Sequence, residues 1–161
     1  MPPTHLFIVR HAVAEDISEA GDDASRRLTK KGRKAFVRLV GQLRAAGMDV
    51  DLVATSPLAR TRETAAALAE EVGGRPPVEV VDALAPGSDW RAMVEWTSRQ
   101  DADRVAWVGH APCVGQLVAQ AIGAAGAGVV MQKGAVASIR LPGGIGEPGD
   151  LEWLVTPDLV D

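Results

Sequence analysis

Leu6-Phe7-Ile8-Val9-Arg10-His11-Ala12 is the stretch on which the fold turns. Four apolar residues in a row read as a strand buried on both faces, as in the centre of a parallel sheet. The run stops at two cationic or titratable side chains, at the carboxyl end of the strand, where an α/β sheet opens its ligand crevice. Packing alone would not end a buried strand in Arg-His, and the alternative reading is a snorkelling Arg and a capping His at a strand terminus. The decision comes from the rest of the chain, where the same design recurs twice.

Downstream, residues 12–27 are rich in Asp, Glu, Gly and Ser and read as a loop leaving directly from the Arg-His end. Thr29 is expected to cap a helix that buries Phe36, Leu39, Val40 and Leu43 and stops at Gly47. Its opposite face, with Lys30, Lys31, Arg33, Lys34 and Arg38, is expected to be solvated. A second strand near Leu52 to Thr55 runs into Ser56-Pro57-Leu58-Ala59-Arg60, where Ser56 suits an N-cap and Pro57 the first helical position. Arg60 then falls in the first turn of that helix, a place that prefers an anion, so it is expected to share one. Arg62 should face solvent. The helix should end at Gly73-Gly74.

A short strand at Val78 to Val81 and a helix from about Ser88 to Gln100 follow. Arg104 to Val108 is another buried strand, ending in Gly109-His110-Ala111-Pro112 against a helix carrying Val114, Leu117, Val118 and Ile122. Ala135 to Leu141 and Leu151 to Val155 read as an antiparallel hairpin at the sheet edge. The order of elements predicts an α/β fold, a three-layer α/β/α sandwich with a mostly parallel central sheet and an antiparallel edge hairpin. Residues 1–161 are expected to form one domain.

At 161 residues the chain can bury a core without disulfides or metal. The net charge of −4, with no basic run interleaved with aromatics, argues against nucleic acid as a partner. The one cysteine, Cys113, excludes an internal disulfide and suits a reducing compartment. No stretch has the length of a membrane span and the start lacks the pattern of a signal peptide, so a cytoplasmic location is expected.

Three strand ends thus deliver Arg10, His11, Arg60 and His110 to one edge of one sheet. Two guanidinium forks and a helix N-terminus suit a tetrahedral dianion such as phosphate. One histidine can donate to that anion, while the other attacks phosphorus with its ring nitrogen. Neighbouring arginines keep the attacking imidazole neutral near pH 7. Which nitrogen attacks depends on which one a neighbouring carbonyl holds. Fixed donors meet the charge on the equatorial oxygens, so neither metal nor cofactor is needed. A metal site is disfavoured because His5 lies at the far end of its strand and the arginines repel a cation.

Val9-Arg10-His11-Ala12, Ser56-Pro57-Leu58-Ala59-Arg60-Thr61 and Val108-Gly109-His110-Ala111-Pro112 resemble the three signature blocks of the histidine phosphatase superfamily. The Arg26-Arg27-Leu28-Thr29 stretch, Pro86-Gly87 and the short length resemble its SixA-type phosphohistidine phosphatases in particular. The resemblance implies a phosphoglycerate mutase-like fold. It also implies His11 as phosphorylated nucleophile, Arg10, Arg60 and His110 as phosphate clamp, and a substrate-binding role for Arg26, with Arg27 an equal candidate by spacing.

Two departures from the family pattern bear on substrate. The usual third residue of the first block is Gly, and here it is Ala12. Many members carry a Glu before a Leu after the third strand as general acid; here Ala83 precedes Leu84, and Asp82 is the nearest carboxylate. A weak acid favours P–N over P–O cleavage, because imidazole, with a conjugate-acid pKa of about 6.5, leaves without help. No insertion is long enough for a lid, which suits a phosphoryl group presented by another protein. The expected activity is therefore a phosphatase acting on phosphohistidine in a protein. The alternatives are a broad small-molecule phosphomonoesterase using Asp82, or a module that binds phosphoproteins without turnover. Trp90 or the 12–27 loop is expected at the pocket entrance.

Overall fold

A computed structural model of the chain describes residues 3–160. Its centre is the quoted strand, β1 (His5–Arg10), flanked in the sequence by α1 (Lys30–Ala45), β2 (Leu52–Thr55), α2 (Ala59–Glu71) and β3 (Val78–Val80). After these come α3 (Trp90–Ser98), β4 (Arg104–Gly109), α4 (Cys113–Ala121), β5 (Val136–Arg140) and β6 (Asp150–Val155). The six strands form one sheet in the order β3-β2-β4-β1-β5-β6. The pairs β3·β2, β2·β4 and β4·β1 are parallel, while β1·β5 and β5·β6 are antiparallel. The expected edge hairpin is present, with β6 outermost.

Side-chain alternation along the central strands sorts their residues into two cores. Leu6 and Ile8 of β1 join Val105 and Trp107 of β4 on one face, with Met93 of α3 and Val114, Leu117 and Val118 of α4. Phe7 and Val9 join Ala106 and Val108 on the other, with Phe36, Leu39 and Val40 of α1 and Ala65 and Leu68 of α2. That is the expected three-layer arrangement, and it explains why β1 and β4 read as unbroken apolar runs. Trp107 is wholly buried, and its indole N–H donates to Thr97 Oγ1 at 3.1 Å, so the ring leaves no unpaired donor in the core.

The start of α1 agrees with the sequence, while α2 and α3 each begin two residues later than expected, α3 at Trp90. Thr29 caps α1 by accepting the Gly32 N–H at 2.9 Å, and Asp89 caps α3 by accepting the Ala92 N–H at 3.1 Å. Gly32 is needed there, since a Cβ would stand 2.4 Å from the carbonyl oxygen of Val13. That close approach presses α1 onto the loop that follows β1. The start of α2 is two residues later than expected, at Ala59, with Leu58 as N-cap and no capping side chain. Ser56 and Pro57 thus precede the helix instead of starting it: the Ser56 hydroxyl bonds His110 at 2.8 Å and accepts the Leu58 N–H only at 3.4 Å.

After β1 the chain passes through α1 on one face to β2, skipping a position in the sheet. It moves outward to β3 and returns through α3 to insert β4 between β2 and β1. The next helix, α4, lies on the opposite face from α1. Between the carboxyl ends of β1 and β4 the connections therefore part to opposite sides, which opens a crevice. Among the described residues no helix is long and apolar enough to cross a membrane.

Candidate functional site

The parallel register of β1 and β4 sets Arg10 against Gly109, and the ladder continues with the His11 N–H donating to the Gly109 carbonyl at 3.1 Å. The next residue on each strand is a histidine. His11 and His110 thus meet with ring centroids 5.5 Å apart and planes inclined at 57°, both rings nearly buried.

His11 is fixed by its own backbone. Its Nδ1–H donates to the Ala12 carbonyl at 2.7 Å, which leaves the lone pair on Nε2. Ala12 is in turn anchored to α2, where its N–H reaches Thr64 Oγ1 at 3.1 Å and the Thr64 hydroxyl donates to the Arg60 carbonyl at 2.7 Å. Burial, against the opposing pull of the Ala12 hydrogen bond, lowers the His11 pKa to about 4, and the charges of His110, Arg60 and Arg10 act in the same direction as burial. The ring is neutral at pH 7.

His110 is held at Nε2 by Ser56 Oγ at 2.8 Å, while its Nδ1 is buried without a protein partner. Burial and the Arg60 charge lower its pKa to about 4 as well. Ser56 reaches it because β2 pairs with β4, an alignment extended by the Ser56 N–H donating to the Val108 carbonyl at 3.1 Å.

Each arginine is tethered at one end and free at another. Arg10 Nη1 donates to the Met131 carbonyl at 2.9 Å, and its Nε is buried without a partner. Arg60, only 5 % exposed, donates Nη1 to the Asp23 carbonyl at 3.0 Å and Nη2 to Asp23 Oδ2 at 3.1 Å, with its buried Nε unpartnered. The anionic side chain bonded to Arg60 is Asp23. Arg26 donates Nε to Asp23 Oδ1 and Nη1 to the Glu15 carbonyl, both at 3.0 Å. Its neighbour Arg27 turns away to Glu63 at 2.9 Å, and Arg62 is exposed.

These groups line a cavity of about 180 Å³ with Arg10, His11, Ala14, Arg26, Arg60, His110, Ala111 and Lys133 in its wall. None of the eight is an Asp or a Glu. Asp82 is exposed in a 3-10 turn and does not line it, and Trp90 instead packs edge-on against Trp107 at 5.9 Å. Of the two expected there, the 12–27 loop contributes Ala14 and Arg26 to the wall and Trp90 does not line it. A larger groove, about 590 Å³, lies around Arg27, Glu63 and Arg33, but it carries mixed charge and none of the buried unpartnered donors. Among the described residues no cluster of His, Cys, Asp and Glu is placed to hold a metal ion.

Sequence reasoning missed Ser56 as a partner of His110, Thr64 as an anchor, Asp23 between the arginines, and Lys133. Lys133 follows Met131 in a turn whose Gly134 N–H donates to the carbonyl of His11 at 2.9 Å. Nothing local marks it, since only the β1·β5 pairing brings that turn to the site.

A neutral imidazole with a free nitrogen, facing buried cationic N–H groups, is the equipment of a phosphoryl-transfer protein. The comparisons agree. Residues 6–112 match the family model described as the histidine phosphatase superfamily (branch 1), and the chain belongs to that superfamily, whose members are phosphatases and mutases. It is 32 % identical over 140 residues to an uncharacterized protein of Picosynechococcus sp., covering 84 % of each. Its fold is similar to the protein histidine phosphatase SixA complexed with tungstate, with TM-score 0.84, 23 % identity, and coverage of 96 % of this chain and 98 % of that one. It is also similar to a candidate phosphohistidine phosphatase SixA from Nakamurella multipartitia, with TM-score 0.75, 26 % identity, and coverage of 98 % and 99 %.

Proposed function

We propose that this chain is a phosphatase that forms a phosphohistidine on His11 and acts on phosphohistidine carried by another protein. The observation that carries the reading is the pocket wall, which holds two histidines, three arginines and a lysine and has no carboxylate.

His11 Nε2 attacks phosphorus, forming an N–P bond as the bond from phosphorus to the substrate nitrogen breaks. A substrate ring protonated on its other nitrogen keeps the electron pair and departs as neutral imidazole. Water then attacks the phosphorus, the bond to Nε2 breaks, and inorganic phosphate leaves as the water proton passes to solvent or phosphate. Arg10, Arg60, Arg26 and His110 hold the phosphoryl oxygens through both steps, so their donors are in place where charge is carried. An alkoxide leaving group would need a proton, and the wall has no carboxylic acid to give it. Size supports the same substrate class. About 180 Å³ is below the range of roughly 300–1,000 Å³ that encloses a small-molecule ligand, and it leaves the rest of the substrate outside.

The test is phosphate release from a phosphohistidine-bearing protein, with a phosphoserine protein and a sugar phosphate as controls. Turnover by wild type that is lost in His11→Ala and is weak on both controls is expected. Efficient turnover of the sugar phosphate would favour the small-molecule phosphomonoesterase. Phosphate binding with no turnover of any substrate would leave a phosphoprotein-binding module.

A further inference from the structure

We propose that Asp23 is a positioning residue, setting the guanidinium groups of Arg60 and Arg26 so that their remaining donors converge on the phosphoryl group. The inference rests on the reading of the pocket as a phosphoryl site. Asp23 lies in a 3-10 turn, Asp23–Ser25, within the loop that leaves β1. That loop is clasped at its base by an Ala14–Leu28 bridge, with the Glu15 N–H donating to the Arg27 carbonyl at 2.8 Å and the Thr29 N–H to the Val13 carbonyl at 3.0 Å. The Leu28 N–H and the Arg27 Nε–H donate to Glu63 of α2 at 2.8 and 2.9 Å, which ties the base of the loop to that helix.

The bonding divides cleanly between the two arginines. Carbonyl and Oδ2 of Asp23 take the two terminal nitrogens of Arg60, and Oδ1 takes Nε of Arg26. Arg60 is left with its buried Nε free, and Arg26 is braced from behind by Glu15. Burial pushes the Asp23 carboxyl up, but the hydrogen bonds and charges of Arg60 and then Arg26 more than offset this and hold it below the usual carboxylate range. It is ionised at neutral pH.

A carboxylate beside an anion pocket should, by charge alone, weaken phosphate binding. The two effects have opposite signs, so magnitude decides. The Asp23 side chain is 65 % exposed, and its long-range repulsion is screened by water and salt. The Arg60 side chain is 6 % exposed, and the hydrogen bonds that aim it are part-buried, so they are weakened less by solvent than the long-range repulsion is. Orientation wins.

Inorganic phosphate titrated by calorimetry into wild type, Asp23→Ala and Asp23→Asn tests this, with aryl phosphate turnover and thermal midpoints measured in parallel. Hydrogen bonds to charged groups lead us to expect phosphate affinity about ten- to a hundredfold weaker in Asp23→Ala. The parallel kinetics should show a lower kcat as well as a raised KM. Asp23→Ala and Arg26→Ala should be less than additive when combined, because they remove one network. Unchanged or tighter phosphate binding in a folded Asp23→Ala, with kcat/KM unchanged or raised, would overturn the proposal and make Asp23 a competitor for Arg60. If Asp23→Ala does not fold, Asp23→Asn, nearly the same in shape, decides on the same measurements. A wild type that binds phosphate without turnover would defeat the phosphatase reading, yet the calorimetric arm would still judge Asp23.

Discussion

The carbonyl of Ala12 accepts the Nδ1–H of the residue before it, His11, at 2.7 Å. A hydrogen bond between neighbours in sequence thus chooses the reactive nitrogen, and the Thr64 hydroxyl keeps the Ala12 peptide in place.

Phosphorus is expected on Nε2 of His11 in the trapped intermediate, and NMR of the phosphorylated ring distinguishes it from Nδ1. His11→Asn should lower kcat by a factor on the order of 10³ or more, as for loss of a covalent nucleophile. Label on Nδ1 would mean that the Ala12 contact breaks before reaction.

Both pocket histidines have pKa values of about 4 in the folded protein, against about 6.5 for an unperturbed imidazole. Between these values the unfolded chain binds more protons than the native one, so stability rises with pH across that window and is lost as pH falls through it. Urea midpoints measured from pH 7 down to 4 should fall, and fall less steeply in His110→Asn. After allowance for the substrate's own titration, the acid limb of kcat/KM should lie near 4, not near 6.5.

Ser56→Ala removes the only protein hydrogen bond of the His110 ring among the described residues. Leaving a buried polar atom unpaired costs about 1–3 kcal/mol, so thermal denaturation should show a drop of that order. Activity should fall about tenfold or more through misorientation of the ring, as one such bond is worth about 1.4 kcal/mol or more. Ser56→Thr, which keeps a hydroxyl, should recover part of both.

Asp82→Ala should leave phosphohistidine turnover within about twofold of wild type, because surface changes away from a site have small effects. Asp82 is exposed and outside the pocket wall. A large loss on that substrate would show that the turn swings inward during the reaction.

Much of this architecture was readable from residue patterns, for physical reasons that also mark where reading stopped. The apolar runs of β1 and β4 are visible because both of their faces are buried, and Thr29 because a cap acts within three residues. The Arg-His and Gly-His strand ends stand out against those runs. Ser56 was misread because Ser-Pro is locally a good helix start, and only the neighbouring strand supplies a stronger partner for its hydroxyl. Asp23 is one of several acids in a polar loop, with nothing local to single it out. Its pairing with Arg60 exists only once the loop has closed over α2.

His11 and His110 are about a hundred positions apart in the chain, and only the β1·β4 ladder makes them neighbours. Such a long-range pairing forms late and carries a large loop-closure entropy. No fragment holding one strand alone can own half of the activity. In a refolding experiment, recovered turnover would therefore report that the middle of the sheet has been assembled.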